Sequence, residues 1–147
     1  MKSKFIAPVL FAALLKTAFA AEEPAKTWVV HIDQEKVAAA FAKGGPILVT
    51  NDFKVQTGRR TGPGEVELHD RDTDIFYILE GSAVFITGGK VVAPKLIGPG
   101  ETRAKEIIGG EENRLTKGDV IIIPRGVPHW FKEVHGTFVY YVVKVTK

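Results

Sequence analysis

Residues 67–81 read ELHDRDTDIFYILEG, a single histidine among a dense set of acids that runs directly into an apolar segment. Alternation along an extended chain puts Glu67 and His69, two apart, on one face. A tight turn over 70–73 brings Asp74 back beside His69 on the next antiparallel strand, just ahead of the apolar run 75–79. A second stretch, 118–133, reads GDVIIIPRGVPHWFKE. Its apolar strand ends at Pro124, the chain turns through Gly126 and Pro128, and His129 follows. Imidazole and carboxylate donors on facing strands suit a divalent metal, which needs them deprotonated and positioned before it arrives. The structural alternative for each histidine is a packed, hydrogen-bonded core residue.

The two stretches resemble the paired motifs of the cupin family. In the first motif, Gly81 fits the closing glycine, Asp74 takes the glutamate position and His69 that of the second histidine. Glu67 stands where the first histidine belongs, and Thr61 where the opening glycine belongs. In the second motif Gly118, Pro124, Gly126 and His129 all match, and Glu133 replaces the asparagine. The resemblance covers residues 53–145. It implies an all-β fold, a small antiparallel jelly-roll barrel (a double-stranded β-helix), here with one short N-terminal helix. It implies one divalent metal, Fe, Mn or Zn, held by His69 and His129 with carboxylate from Glu67, Asp74 or both. Small members of the family usually dimerise, so a homodimer is expected, with the apolar run 28–30 as a strand able to extend a neighbour's sheet.

The individual residues leave roles open. Glu67 is either a ligand or a barrel-mouth acid paired to an arginine. Asp74, one methylene shorter than glutamate, either reaches the metal or holds His69 in its tautomer from outside. Arg103 and Arg114 flank the charged segment 101–114, and Arg103 is the candidate clamp for a substrate carboxylate. Phe76, Tyr77, Trp130 and Phe131 read as core or barrel lining, and His31 as a surface or packed histidine. The segment between Gly81 and Gly118, 36 residues long, is either a rim over one barrel mouth or a solvated extra hairpin.

Composition narrows the function further. A chain of 147 residues with 45% hydrophobic and 25% charged residues is one ordinary globular domain, and it has no cysteine for a disulfide or a thiolate nucleophile. Residues 1–20 have the pattern of a secretory signal: Lys2 and Lys4, an apolar run 5–15, then Ala18-Phe19-Ala20 as a small-x-small cleavage site. The apolar run is broken by Pro8 and Lys16 and falls short of the ~20 residues a membrane span needs. The expected division is a signal over 1–20 and one barrel domain over 21–147, in a periplasmic or secreted protein without stable membrane insertion. Cleavage after Ala20 removes Lys2, Lys4 and Lys16, so the formal charge falls from +3 to 0. With no basic stripe interleaved with aromatics, nucleic acid is not an expected partner.

From the N-terminus, 27–32 reads as a short strand, and Asp33 as the cap of a helix over 34–43 ended by Gly44-Gly45-Pro46. Strands are expected over 47–50, 53–60, 65–69, 74–79, 83–87, 90–96, 101–108, 113–116, 120–123, 129–134 and 137–145. Glu80-Gly81 reads as a turn, and Gly88-Gly89 as the turn of a hairpin. Two function classes remain: a metal-dependent enzyme on a small molecule (dioxygenase, lyase or isomerase type), or a non-catalytic small-molecule or sugar-binding module without metal. Two imidazoles and a carboxylate suit non-haem Fe(II), or Mn or Zn acting as a Lewis acid. The sequence does not choose between the classes, and metal content does.

Overall fold

Two long, bent strands carry the architecture: β4 (Asp72–Thr87) and β11 (His129–Thr146), antiparallel along nearly their whole length. This computed structural model describes residues 28–147, of which His31–Lys147 form one unit. The expected signal, 1–20, lies outside the described residues. The remaining elements of the unit are α1 (Gln34–Lys43), β1 (Gly45–Val49), β2 (Phe53–Arg60), β3 (Val66–His69), β5 (Lys90–Val92), β6 (Lys95–Gly98), β7 (Glu101–Ala104), β8 (Glu106–Ile108), β9 (Glu111–Thr116) and β10 (Val120–Ile123). One sheet runs β1-β2-β11-β3-β7-β6, and β4 joins it through β11 while also pairing β9 and β10. All pairs are antiparallel, and the sheet curls into the jelly-roll arrangement. A small second sheet, β5-β8, stands apart in pairing.

The helix takes its expected bounds. The Asp33 side chain accepts from the Lys36 amide at 2.9 Å, satisfying an orphan donor of the first turn. Gly44, at φ +74°, ends it with its own amide donating to Ala40 O. Thr57 Oγ1 donates to the same carbonyl at 2.9 Å and ties the helix end to β2.

Several expected elements come out differently. Residues 28–32 take no regular structure, although a strand is expected there. Apolar β-branched residues favour a strand, but a strand forms only where a neighbouring ladder receives its backbone groups. Gly81 does not end a strand. At φ +79° it lets β4 bend and continue, with the ladder to β11 slipping register between His135 and Tyr140. The hairpin expected across Gly88-Gly89 does not form: β5 pairs β8, and the second half of β4 pairs β9 and β11. The strand expected over 90–96 breaks at Ala93, whose φ is +51°, and the one over 101–108 breaks at Lys105. Nor do β3 and β4 form the hairpin expected around 70–73; β3 pairs β7 and β11 instead.

The core follows from strand alternation broken at the bends. Phe76 and Ile78 face inward from the first half of β4, and Ala83 and Phe85 from the second half, so the inward phase changes parity across Gly81. They pack with Leu115, Ile123, Phe131, Phe138, Tyr140 and Val142. The Phe131 ring stacks on Phe76 at 5.9 Å and on Tyr140 at 5.3 Å. On the other face of the second half of β4, Val84 and Ile86 pack with Val66, Ala104 and Ile107.

Candidate metal centre

Register places the polar residues at one end of this core. Glu67 on β3 stands opposite His129 on β11 and opposite Arg103 on β7, so Arg103, Glu67 and His129 form one cross-strand row. In the next row His69 faces Glu101. Asp74, on β4, faces Lys144 on β11. Glu67, His69 and His129 each offer one ligand atom, and these atoms lie within 4.8 Å of one another. The imidazole centroids of His69 and His129 are 5.1 Å apart. Asp74 Oδ2 lies 3.5 Å from His69 Nε2 and 3.7 Å from His129 Nε2.

The orientation of each histidine is fixed from behind. His129 Nδ1 lies 3.1 Å from the Val127 carbonyl, a contact it can make only as the donor. Its Nε2 is then the lone-pair nitrogen, and that atom is buried with no hydrogen-bond partner among the described residues. Burial against Phe76 and Phe85 pushes the proton affinity of His129 down, which keeps it a neutral imidazole. His69 Nδ1 lies 2.8 Å from Glu101 Oε2, so Nδ1–H donates to the carboxylate and Nε2 turns toward Glu67 and Asp74. This is the carboxylate–histidine arrangement that orients metal-binding imidazoles.

The charges are strongly coupled. Burial opposes ionisation of Glu67, but the positive charges around it, Arg103 first and then Lys144, favour the carboxylate and lower its pKa. Arg60 Nη2 also reaches Glu67 Oε1 at 3.5 Å, while its Nε donates to Tyr140 Oη and its guanidinium lies over Phe131. Burial likewise opposes a charged His69, whereas the Asp74 and Glu67 carboxylates beside Nε2 favour one. Against that stands Lys144, whose Nζ lies 2.9 Å from His69 Nε2 and 2.5 Å from Asp74 Oδ2. The first of these is a hydrogen bond only if Nε2 is unprotonated. A proton on Nε2 and the Lys144 ammonium therefore compete for one place, and the short contact selects the neutral ring. Burial disfavours the Asp74 carboxylate too, but His69 and Lys144 outweigh it and lower its pKa.

The donor set fits a divalent cation. Two unprotonated imidazole nitrogens and a carboxylate converge, and two buried atoms there, His129 Nε2 and Asp74 Oδ1, have no hydrogen-bond partner. Glu67, His69, Asp74 and His129 thus lie together, with Asp74 brought to His69 through β11, which pairs both β3 and β4, and not across the expected β3-β4 hairpin. Arg103 meets them through Glu67, at 3.6 Å, and through Glu101, at 3.5 Å. Arg114 does not take part: it pairs with Glu112 on an exposed stretch of β9. Glu133 and His31 are exposed. Within the charged segment 101–114, β7 pairs β3 behind the histidines, β8 pairs β5 and β9 pairs β4.

Sequence reasoning passed over Glu101, Lys144, Arg60 and Tyr140. Two clefts approach the charged shell. One, of about 320 Å³, is lined by Lys54, Arg71, Asp72, Glu101 and Thr146 among others. The other, of about 410 Å³, holds Arg103 with Lys95, Lys105 and Glu65. Neither is lined by the imidazoles, which are 3% exposed.

Residues 35–147 match the Cupin family, and the chain belongs to it. Among solved structures, a Bacillus halodurans protein superposes with TM-score 0.54 at 15% identity, covering 86% of each chain. A Ralstonia eutropha protein described as a candidate mannose-6-phosphate isomerase gives 0.51 at 13% identity, over 71% of this chain and 83% of that one. An RmlC-like cupin of double-stranded β-helix fold from Methanocaldococcus jannaschii gives 0.50 at 10%, over 70% of this chain and 78% of that one. At such identities the likeness is one of fold. No curated protein sequence matches the chain.

Proposed function

We propose that this cupin binds one divalent metal, Fe, Mn or Zn, through His69, His129 and Glu67, with Asp74 beside them, and acts as a metal-dependent enzyme on a small molecule. The observation that carries the reading is the unpartnered, buried His129 Nε2, aimed where the ligand atoms of Glu67 and His69 converge. A bound metal would supply Lewis acidity or, as Fe(II), a site for dioxygen. The chain's own part is to hold two neutral imidazoles, one backed by Glu101 and one by the Val127 carbonyl. Arg103, lining the larger cleft with Lys95 and Lys105, is the proposed contact for a substrate carboxylate. Dioxygenase, lyase and isomerase chemistries all suit this donor set, and the isomerase description of one fold neighbour is compatible with it.

A second reading has its own support. Lys144 already places a cation against His69 and Asp74, as a metal-free binding module would require. Elemental analysis of the purified protein, with metal titration of His129→Ala and His69→Ala, separates the two. Stoichiometric metal in the parent, lost in both variants, supports the enzyme; a parent that takes up no metal leaves the binding module. Export to the periplasm or exterior after Ala20 and assembly as a homodimer belong to the same proposal, and light scattering at micromolar concentration reads the second.

A further inference from the structure

Lys144 sits where a barrel strand has no ordinary use for a lysine. It follows Tyr140 and Val142 on the inward face of β11, and its side chain is only 13% exposed. An ammonium taken from water must recover its hydration from fixed acceptors. Asp74 Oδ2 at 2.5 Å and His69 Nε2 at 2.9 Å provide them. An ammonium only donates, so both contacts consume lone pairs. The His69 lone pair is the one that ligand would offer a metal, and Asp74 Oδ2 lies within 3.7 Å of Nε2 of both imidazoles.

We infer that Lys144 is a tethered cation that stands in the metal's place, and that a divalent ion enters this site only by displacing it. The inference rests on the metal reading of the same site. The ammonium satisfies part of the cage only: His129 Nε2 and Asp74 Oδ1 keep no partner. A divalent ion engaging Glu67, His69 and His129 together therefore has more to gain than the ammonium has to lose. The site is charge-balanced while metal-free, and its apparent metal affinity is lowered by the work of removing Lys144. Loading then depends on how strongly the metal prefers imidazole, which favours Zn(II) over Mn(II).

The test is competition titration of Zn(II) and Mn(II) against a chromogenic chelator, on the full mature protein and on Lys144→Met, which keeps the stem and removes the charge. Two charge-assisted hydrogen bonds no longer have to be broken, so Lys144→Met should bind about ten- to a hundredfold more tightly. Its metal-free melting temperature should fall, because Asp74 loses its counter-ion, and saturating metal should restore it. Lys144→Arg, which keeps the charge, should bind no more tightly than the parent. In the parent, saturating metal should raise labelling of Lys144 by a small amine-reactive reagent, read by peptide mass spectrometry.

A parent that binds metal and a Lys144→Met variant that binds it equally or more weakly overturns the inference and leaves the metal reading standing. Uptake by neither protein removes both. Uptake by Lys144→Met alone overturns displacement of Lys144 by metal in the parent and leaves the binding module. If Lys144→Met does not fold without metal, Lys144→Gln, whose amide still donates to Asp74, takes its place in the titration, and the labelling comparison on the parent decides independently.

Discussion

Replacing Glu101 with alanine tests whether the hydrogen bond behind His69 matters to the front of the ring. Glu101 Oε2 accepts from His69 Nδ1 at 2.8 Å, and among the described residues no other hydrogen bond holds that nitrogen. Losing an outer partner of a ligating histidine weakens metal binding about 10- to 100-fold, roughly 1.4–2.7 kcal/mol. Two features place Glu101→Ala toward the lower end. The Glu101 side chain is 32% exposed, so water can replace part of the lost acceptor. The same oxygen also serves Arg103 at 3.5 Å, so its charge is already shared. The expected loss is therefore about tenfold, and smaller for Glu101→Gln, whose amide oxygen still accepts from Nδ1–H. Metal competition titration at fixed pH reads both, with Glu112→Ala on the exposed face of β9 as a control. An affinity for Glu101→Ala within twofold of the parent would refute the reasoning, because His69 would then be held by its packing alone.

Three further outcomes are expected. A Cβ at Gly58 would lie 1.9 Å from Tyr140 Cζ, so Gly58→Ala must push that ring off its stack on Phe131 and its contact with Phe76; the expected destabilisation is about 1–3 kcal/mol in urea denaturation. Because Arg103 and Lys144 hold the Glu67 pKa below its ordinary value of 4.5, its contribution to folding is full above pH 4.5 and drains away as pH falls through the lowered value. The stability of metal-free Glu67→Gln should therefore fall less than the parent's as pH drops through this window; parallel curves count against the assignment. Mass spectrometry of exported material should find Ala21 at the N-terminus, and an intact Met1 there rejects the signal.

The parts of this molecule that were legible are those whose signals are local. The Asp33 cap and the Gly44 stop bound α1, and proline and glycine punctuation placed His69 and His129 beside strand ends without any knowledge of pairing. Glu101 and His69 are 32 residues apart, Lys144 and His69 are 75, and only the ladders β3-β7 and β4-β11 bring them together. Gly81 shows the limit of a local signal: a tight turn and a bent strand both call for positive φ, and the neighbours β9 and β11 decide between them. Lys144 was hidden for a subtler reason. Alternation counted from His129 and Phe131, both inward, would place Val143 and Val145 inside and leave Lys144 outside as an ordinary surface lysine. The ladder slips register between Phe131 and Glu133 and again between His135 and Tyr140, so the inward phase passes to Phe138, Tyr140 and Val142. A bulge that re-aims a strand to pack its aromatic residues thus also turns the next inward position, a lysine, onto Asp74 and His69. The cation in the cage is a consequence of the same bend that closes the core.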